Sequence, residues 1–476
     1  MIVQQSFVHG LAHSSYLLGG AGTCAIVDPR RDVEIYLDAA KALGMRITHI
    51  LETHLHADFV SGHLDLAEAT GARIVAPRSA GCRFDHLPVA EGDSFGLDDL
   101  TIRVLETPGH TPEHVSYVVV DRARGPEPVG VFCGDTLFVG DVGRPDLFPG
   151  MALELAQKLF ASLHEKLLRL PDFCEVYPAH GAGSLCGRAM GAKRTSTVGY
   201  ERLYNAALQI ADREEFVRSL TTHMPAAPDH FGRCSAVNGQ GPSLVRTLPG
   251  PAPLEPKAFR DRAARDGTLV LDTRSYGAFG SQHVPGSYHI DQGGNFATFA
   301  GWVLPPDREI LLVADGPAQA QEAAVLLRRV GLDRVTGYLA GGLFEWAKAG
   351  LPAGHVAQLS SVELQERTLG GAPFTLVDVR APTEFGPNHI QGALNIPTAD
   401  LRSRHGEVPR DRPVVLVCST GHRSSLGASL LLQRGFTAVH NAAGGMTGYG
   451  AAGFAGECPV CVVPHGPRFL GRPPKV

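Results

Sequence analysis

No apolar run in this chain approaches the roughly 18 residues that a membrane-spanning helix needs, so a helical membrane protein is excluded. A basic block is missing too. Lys and Arg number 43 against 48 Asp and Glu, for a formal charge of −5, and this mild acidity argues against a nucleic-acid partner. The chain does not open on a charged segment followed by an apolar one. Met1 to Val8 reads as a first strand, not as a targeting segment. The nine cysteines fall without framework spacing, which suits a reducing compartment and thiol chemistry better than disulfides. A soluble cytoplasmic protein is expected, with no membrane partner. The length of 476 residues suggests about three domains, and a hydrophobic content of 44% is that of a globular chain.

What is present is chemistry at the ends of apolar runs. Thr53-His54-Leu55-His56-Ala57-Asp58-Phe59 follows directly on Ile47 to Leu51. Buried without partners, such polar groups would cost several kcal/mol; a metal ion would satisfy them. Thr107-Pro108-Gly109-His110 and Cys133-Gly134-Asp135 end two later apolar runs, and Tyr177-Pro178-Ala179-His180 repeats the pattern. One such histidine alone would be an ordinary hydrogen-bonded residue. The ordered set HxHxD, PGH, GD and PAH resembles the metallo-β-lactamase superfamily. That resemblance implies an αββα sandwich over residues 1–242.

Along this first part, His13 to Leu18 and Cys24 to Val27 read as strands, and Asp32 is placed to cap a helix from Val33 to Leu43. Met151 to Leu170 and Arg202 to Leu220 read as helical. Gly239-Gln240-Gly241-Pro242 and Leu248 to Pro253 read as a Pro/Gly-rich linker.

Beyond the linker the chain repeats itself. Asp272, Arg274, Phe279 and His283 recur as Asp378, Arg380, Phe385 and His389 at a constant offset of 106. Each copy alternates apolar strands (Thr268 to Leu271 and Glu309 to Val313; Thr375 to Val379 and Val414 to Val417) with helices (Ala318 to Val330; Ser425 to Arg434). Alternation of this kind implies a parallel sheet covered by helices. The twice-occurring D-x-R…F…H-x-x-G signature resembles the rhodanese, or sulfurtransferase, family. An α/β multidomain chain is expected, with rhodanese-like domains at 254–352 and 358–455 and a tail at 456–476.

The copies differ where chemistry would sit. Cys418-Ser419-Thr420-Gly421-His422-Arg423-Ser424 lies between a strand and a helix, where loop N–H groups and the positive helix end stabilise a thiolate or a persulfide. Cys418 is the expected nucleophile, Arg423 a fixed cation, and Ser419, Thr420, Gly421, His422 and Ser424 the sulfur-binding loop. The first copy has Ala314-Asp315-Gly316 instead and should be catalytically silent.

The whole chain resembles the persulfide dioxygenases, and more closely their fusions with rhodanese domains. The resemblance implies one Fe(II) on His54, His110 and Asp135, with His56, Asp58 and His180 orienting those ligands, and Arg144 flanking the substrate sulfur. It further implies oxidation of a small persulfide by dioxygen to sulfite, sulfite/thiosulfate chemistry at Cys418, sulfide detoxification, and a homo-oligomer. The alternative is a binuclear zinc hydrolase of the glyoxalase II type fused to a sulfurtransferase. It needs a second metal on Asp58, residue 59, His180 and a bridging Asp135, and residue 59 is Phe, which donates nothing. Glutathione-using relatives follow the PAH histidine with an acidic residue and a tyrosine. Gly181-Ala182-Gly183-Ser184 stands here instead, which tells against glutathione persulfide. Cys186 is more readily an inert thiol than a sulfur relay, and Cys458-Pro459-Val460-Cys461 carries little functional weight.

Overall fold

The computed structural model describes residues 1–454 apart from 189, 223, 225 and 372. Cys458 and Cys461 lie outside the described residues. The chain divides into two compact units, one formed by residues 1–247 with 328–331, the other by 248–327 and the residues from 332 on. Among the described residues, no helix is long and apolar enough to cross a membrane.

The first unit holds two six-stranded sheets. One runs in the order β1 (Ile2–Val8), β2 (His13–Gly19), β3 (Thr23–Val27), β4 (Arg46–Leu51), β5 (Arg73–Pro77), β6 (Leu87–Val89). The other contains β7 (Ser94–Leu97), β8 (Leu100–Glu106), β9 (Val115–Asp121), β10 (Pro128–Gly134), β11 (Glu175–Pro178) and β12 (Ser196–Thr197), also in sequence order. Alternation in β8 buries Leu100, Ile102 and Val104 on one face. Those side chains meet Tyr16, Leu18, Val27 and Leu51 from the first sheet, forming the inter-sheet core. The outer faces are covered in the same way. Helices Glu34–Ala42 and His63–Thr70 bury Tyr36 and Leu66 with Ile26 and Ile50; Ala152–Ala161 and Arg213–Thr221 bury Leu159 and Phe216 with Val131 and Val176. The layers are αββα.

Local expectations fail where a side chain finds a better partner. Asp32 does not cap the first helix, which starts at Glu34 without a side-chain cap; its carboxylate pairs with Arg30 at 2.8 Å. The helix expected to run to Leu170 is α-helical only to Ala161. It continues as a π turn, Ser162–Lys166, and a 3-10 turn, Leu167–Arg169. At that junction the Ser162 hydroxyl bonds the Pro108 carbonyl at 2.7 Å. The region from Arg202 to Leu220 splits into Val198–Tyr204 and Arg213–Thr221, separated at Asn205, whose amide bonds the Asp141 carbonyl and Glu201. Residues assigned to the start of the linker instead finish a helix, His230–Gln240.

The second unit carries the repeat as two five-stranded, all-parallel sheets of identical order. The first is built from β13 (Ala252–Leu254), β14 (Thr268–Asp272), β15 (Tyr288–His289), β16 (Glu309–Val313) and β17 (Val335–Leu339), arranged β13-β17-β16-β14-β15. The second uses β18 (Ala357–Leu359), β19 (Thr375–Asp378), β20 (Leu394–Asn395), β21 (Val414–Val417) and β22 (Val439–Ala442) in the corresponding places. The repeated signature is a structural brace. The side chains of Asp272 and Arg274 pair through two hydrogen bonds and those of Asp378 and Arg380 through three, all buried. Phe279 stacks on His283, and Phe385 on His389, with ring centroids 4.1 and 4.0 Å apart.

Candidate metal centre and reactive cysteine loop

Three donors converge at the strand ends of the first unit. His54 follows β4, His110 follows β8, and Asp135 follows β10; one ligand atom from each lies within 4.8 Å of the others. All three residues are fully buried. Asp135 Oδ2 is 3.3 Å from His110 Nε2 and 3.8 Å from His54 Nε2, yet none of these three atoms has a hydrogen-bond partner. Orphaned buried polar atoms are rare in native proteins. A metal ion fits this set.

Hydrogen bonding fixes which nitrogen each histidine presents. Thr53 Oγ1 donates to Asp28 Oδ2 at 2.9 Å, so at 2.9 Å from His54 Nδ1 it accepts that nitrogen's proton. His110 Nδ1 donates to the Arg144 carbonyl at 2.9 Å. Both rings therefore turn a proton-free Nε2 to the metal position. Burial, followed by the neighbouring imidazoles, holds His54 well below the ordinary histidine range. Burial also lowers His110, against the pull of Asp135. Burial alone would raise the Asp135 carboxyl, but His180 and His110 bring it below the ordinary carboxylate range.

His56, Asp58 and His180 do not join those three donors. His180 bridges Asp135 Oδ1 at 2.7 Å and Asp58 Oδ2 at 2.8 Å. Burial opposes its charge, and the two carboxylates outweigh burial, so its pKa is raised well above the ordinary value. His56 Nε2 faces Asp28 Oδ1 at 3.1 Å. Phe59 is buried between His13 and His56, with ring centroids 4.1 and 4.4 Å away. Cys186 brings its sulfur within 4.8 Å of donor atoms of Asp58 and His180, and burial pushes the thiol well up.

Arg144 reaches the centre through its backbone. Its guanidinium is taken by Asp146, at 2.6 and 2.7 Å, and by the Leu185 carbonyl at 3.1 Å. Its own carbonyl orients His110. Beside the centre, Leu55, Ala57, Arg83, Thr111, Phe148 and Phe231 line a cavity of about 470 Å³.

Sequence reading missed three supports, Asp28, His114 and Asn238, and named Gly134 in the GD pair without its role. Asp28, at φ +50 with no glycine's freedom, accepts both Thr53 N–H and Thr53 O–H; strain of this sort gathers at functional sites. His114 Nε2 accepts the Asp135 N–H at 3.0 Å, and burial pushes its pKa down to about 3. Asn238 donates to the His56 and Phe59 carbonyls and accepts from Ser61 N–H. Gly134 takes φ +50, and a Cβ there would lie 2.4 Å from His114 Nε2, so no other residue fits. Of the three that were missed, only His114, four residues past His110, offered a visible signal.

In the second unit, Cys418 follows β21, and Gly421 caps the helix His422–Gln433 at φ +97. Cys418 Sγ accepts from Gly421 N–H at 3.1 Å and from Ser424 O–H at 3.3 Å. These donors suit an anionic sulfur. Arg423 is turned to Glu384, bonding it at 2.7 and 2.8 Å, and to Ser419 Oγ at 2.9 Å. It braces the loop, and with Thr420 and His422 it lines a cavity. The first copy lacks the set: Ala314, Ala278 and Gln319 stand where Cys418, Glu384 and Arg423 do in the second.

Comparison with known proteins agrees with both architectures. The metallo-beta-lactamase superfamily model matches residues 9–180, and the rhodanese-like domain model matches twice, over 255–349 and 361–452. A hydroxyacylglutathione hydrolase of Methylococcus capsulatus is 38% identical over 163 residues, 34% of this chain and 58% of the relative. The mitochondrial persulfide dioxygenase of Mus musculus is 31% identical over 226 residues, 46% of this chain and 80% of the relative. This chain thus spans less than two thirds of the hydrolase. A crystal structure of a metallo-beta-lactamase from Staphylococcus aureus subsp. aureus COL superposes with a TM-score of 0.64 at 34% identity, covering 71% of this chain and 98% of that one. The chain belongs to the metallo-β-lactamase superfamily, as a member that carries two rhodanese-like domains after its metal-binding domain.

Proposed function

We propose that the chain is an Fe(II)-dependent persulfide dioxygenase joined to a sulfurtransferase. The observation that carries this reading is the isolation of two imidazoles and one carboxylate, His54, His110 and Asp135, as a set of unpartnered donors. Such a facial set suits non-haem Fe(II). When bound, the iron supplies dioxygen activation and a place for the terminal sulfur of a low-molecular-weight persulfide. The net reaction takes a persulfide, dioxygen and water to a thiol, sulfite and two protons. Thr53 and the Arg144 carbonyl hold the Nδ1 atoms of His54 and His110, which leaves each Nε2 for the iron, and Phe148 and Phe231 give the neighbouring cavity apolar wall.

At Cys418 the persulfide's outer sulfur passes to sulfite. The sulfite sulfur supplies the electron pair of the new S–S bond in thiosulfate, the persulfide S–S bond breaks, and the pair of that broken bond stays on Cys418 as thiolate. The Gly421 N–H and the Ser424 O–H hold that sulfur throughout. Run in reverse, the same step loads Cys418 from thiosulfate. Sulfide detoxification in the cytoplasm is the physiology this reading implies.

A zinc thioester hydrolase remains as a second reading, because Asp58, His180 and Cys186 form a neighbouring donor cluster. Against it, both His180 nitrogens are already hydrogen-bonded and residue 59 is Phe. Oxygen uptake by iron-loaded protein decides, with glutathione persulfide and coenzyme A persulfide as substrates and His110→Ala as control. Iron-dependent uptake yielding sulfite supports the dioxygenase. No uptake, with two zinc ions per chain and thioester cleavage, overturns it.

A further inference from the structure

The copy without a thiol reaches into the site of the copy that has one. A cavity of about 270 Å³ is shared by Asp291, Asn295, Phe296 and Phe299 of the first copy with Thr420 and His422 of the reactive loop. The two copies are fastened at its edge: the buried Ser425 hydroxyl lies 2.9 Å from His289 Nδ1, and the His289 N–H donates to Ser429 Oγ at 3.1 Å. Within it, His422 is held from two sides. Its Nδ1 lies 3.2 Å from Asp291 Oδ2, and the Tyr276 ring meets it edge-on at 5.1 Å and 85°.

The loop's strongest cation is already paired with a carboxylate. Arg423 lines the same cavity but binds Glu384 through two nitrogens, and the ring nitrogen offered beside it is that of His422. With Nδ1 committed to Asp291, Nε2 is the nitrogen left for a ligand. The carboxylate is itself engaged, since its other oxygen accepts the Gly293 N–H at 3.0 Å. A second donor is at hand: Asn295 is 5% exposed, and its Nδ2 has no hydrogen-bond partner. Phe296 and Phe299 supply apolar wall, which strengthens any charge-assisted bond made there.

We propose that Asp291 is a positioning residue for the transfer site of the other copy, fixing His422 so that Nε2 binds the oxyanion end of sulfite or thiosulfate in this cavity. This rests on the sulfurtransferase reading of Cys418. With an anion bound, both ring nitrogens donate, Nδ1 to Asp291 and Nε2 to an oxyanion oxygen. The silent copy is then the half of the site that tells a sulfur oxyanion from an organic persulfide.

The test uses the full chain and follows loading of Cys418 by mass spectrometry, with thiosulfate and glutathione persulfide as separate donors. Thiosulfate loading forms the Cys418 persulfide and releases sulfite, so no further oxidant is needed. In Asp291→Asn, KM for thiosulfate should rise about tenfold with kcat changed less than about twofold, the scale of one charge-assisted hydrogen bond. The ratio of kcat/KM for thiosulfate to that for glutathione persulfide should fall at least about fivefold. His422→Gln should do the same, and the double variant should be no worse than His422→Gln, because Asp291 acts through His422. An unchanged thiosulfate KM in Asp291→Asn overturns the inference. So does an equal loss with both donors, which would mean a loosened loop. A wild-type chain loaded by neither donor is a different result: it removes the sulfurtransferase reading, and this inference with it.

Discussion

Asn238 Nδ2 donates to the carbonyl of His56 at 2.8 Å, across 182 residues of sequence. The same side chain bonds the Phe59 carbonyl and the Ser61 N–H, so one residue of helix His230–Gln240 pins the turn that carries three of the site's polar groups. Asn238 is buried.

Asn238→Ala should therefore cost about 3 kcal/mol, because it strands three buried backbone groups at once. Denaturant titration of the wild type and variant measures the cost directly. Metal content should fall with it. A loss within about 0.5 kcal/mol would mean the HxHxD turn is held by other contacts.

Thr53→Val removes the hydroxyl that links Asp28 to His54 while keeping shape. Loss of such an orienting bond typically weakens metal binding by about 10- to 100-fold. Competition against a chelator of known affinity reads this out. Far-UV circular dichroism should be unchanged, which separates loosened metal from lost fold.

Glu384→Gln should cripple the cysteine loop without touching the metal centre. It leaves the buried Arg423 guanidinium without its anionic partner, a change of about 3–5 kcal/mol in buried pairs. Persulfide loading of Cys418 should drop sharply, with metal content per chain as in the wild type. Equal loading in the variant would show that Arg423 is not what holds the loop.

Stability should fall as the solution is acidified, in part through His230. Burial, aided by Arg233, pushes its pKa down to about 4 from the ordinary 6.5. Above pH 6.5 it is neutral both folded and unfolded and contributes nothing to the pH dependence. Between 6.5 and 4 the unfolded chain takes up a proton that the folded chain refuses, so stability is lost through that window, by an amount on the order of 3 kcal/mol. His230→Phe should flatten that part of the curve when unfolding is measured at pH 7.5 and pH 5. The same slope in both proteins would assign the acid lability elsewhere.

The sequence alone carried the architecture: donors at successive strand ends, a repeat at constant offset, and a thiol present in one copy and missing from the other. Those features are local, or recur at fixed spacing, so pattern and residue type are enough to read them. The roles of individual side chains were not legible in that way. Arg144 read as a group flanking the substrate and Arg423 as a fixed cation of the loop; in the fold Arg144 orients His110 with its carbonyl, and Arg423 pairs with Glu384 while lining the cavity beside the loop. Asn238 stood at the edge of an apparent linker, and Asp291 in a copy that looked inert. Each of these depends on a partner 34, 39 or 182 residues away, or on the other copy altogether. Hydrogen-bond partners at such separations are chosen by how sheets and helices stack, and a buried polar group takes whichever partner the packing brings within about 3 Å.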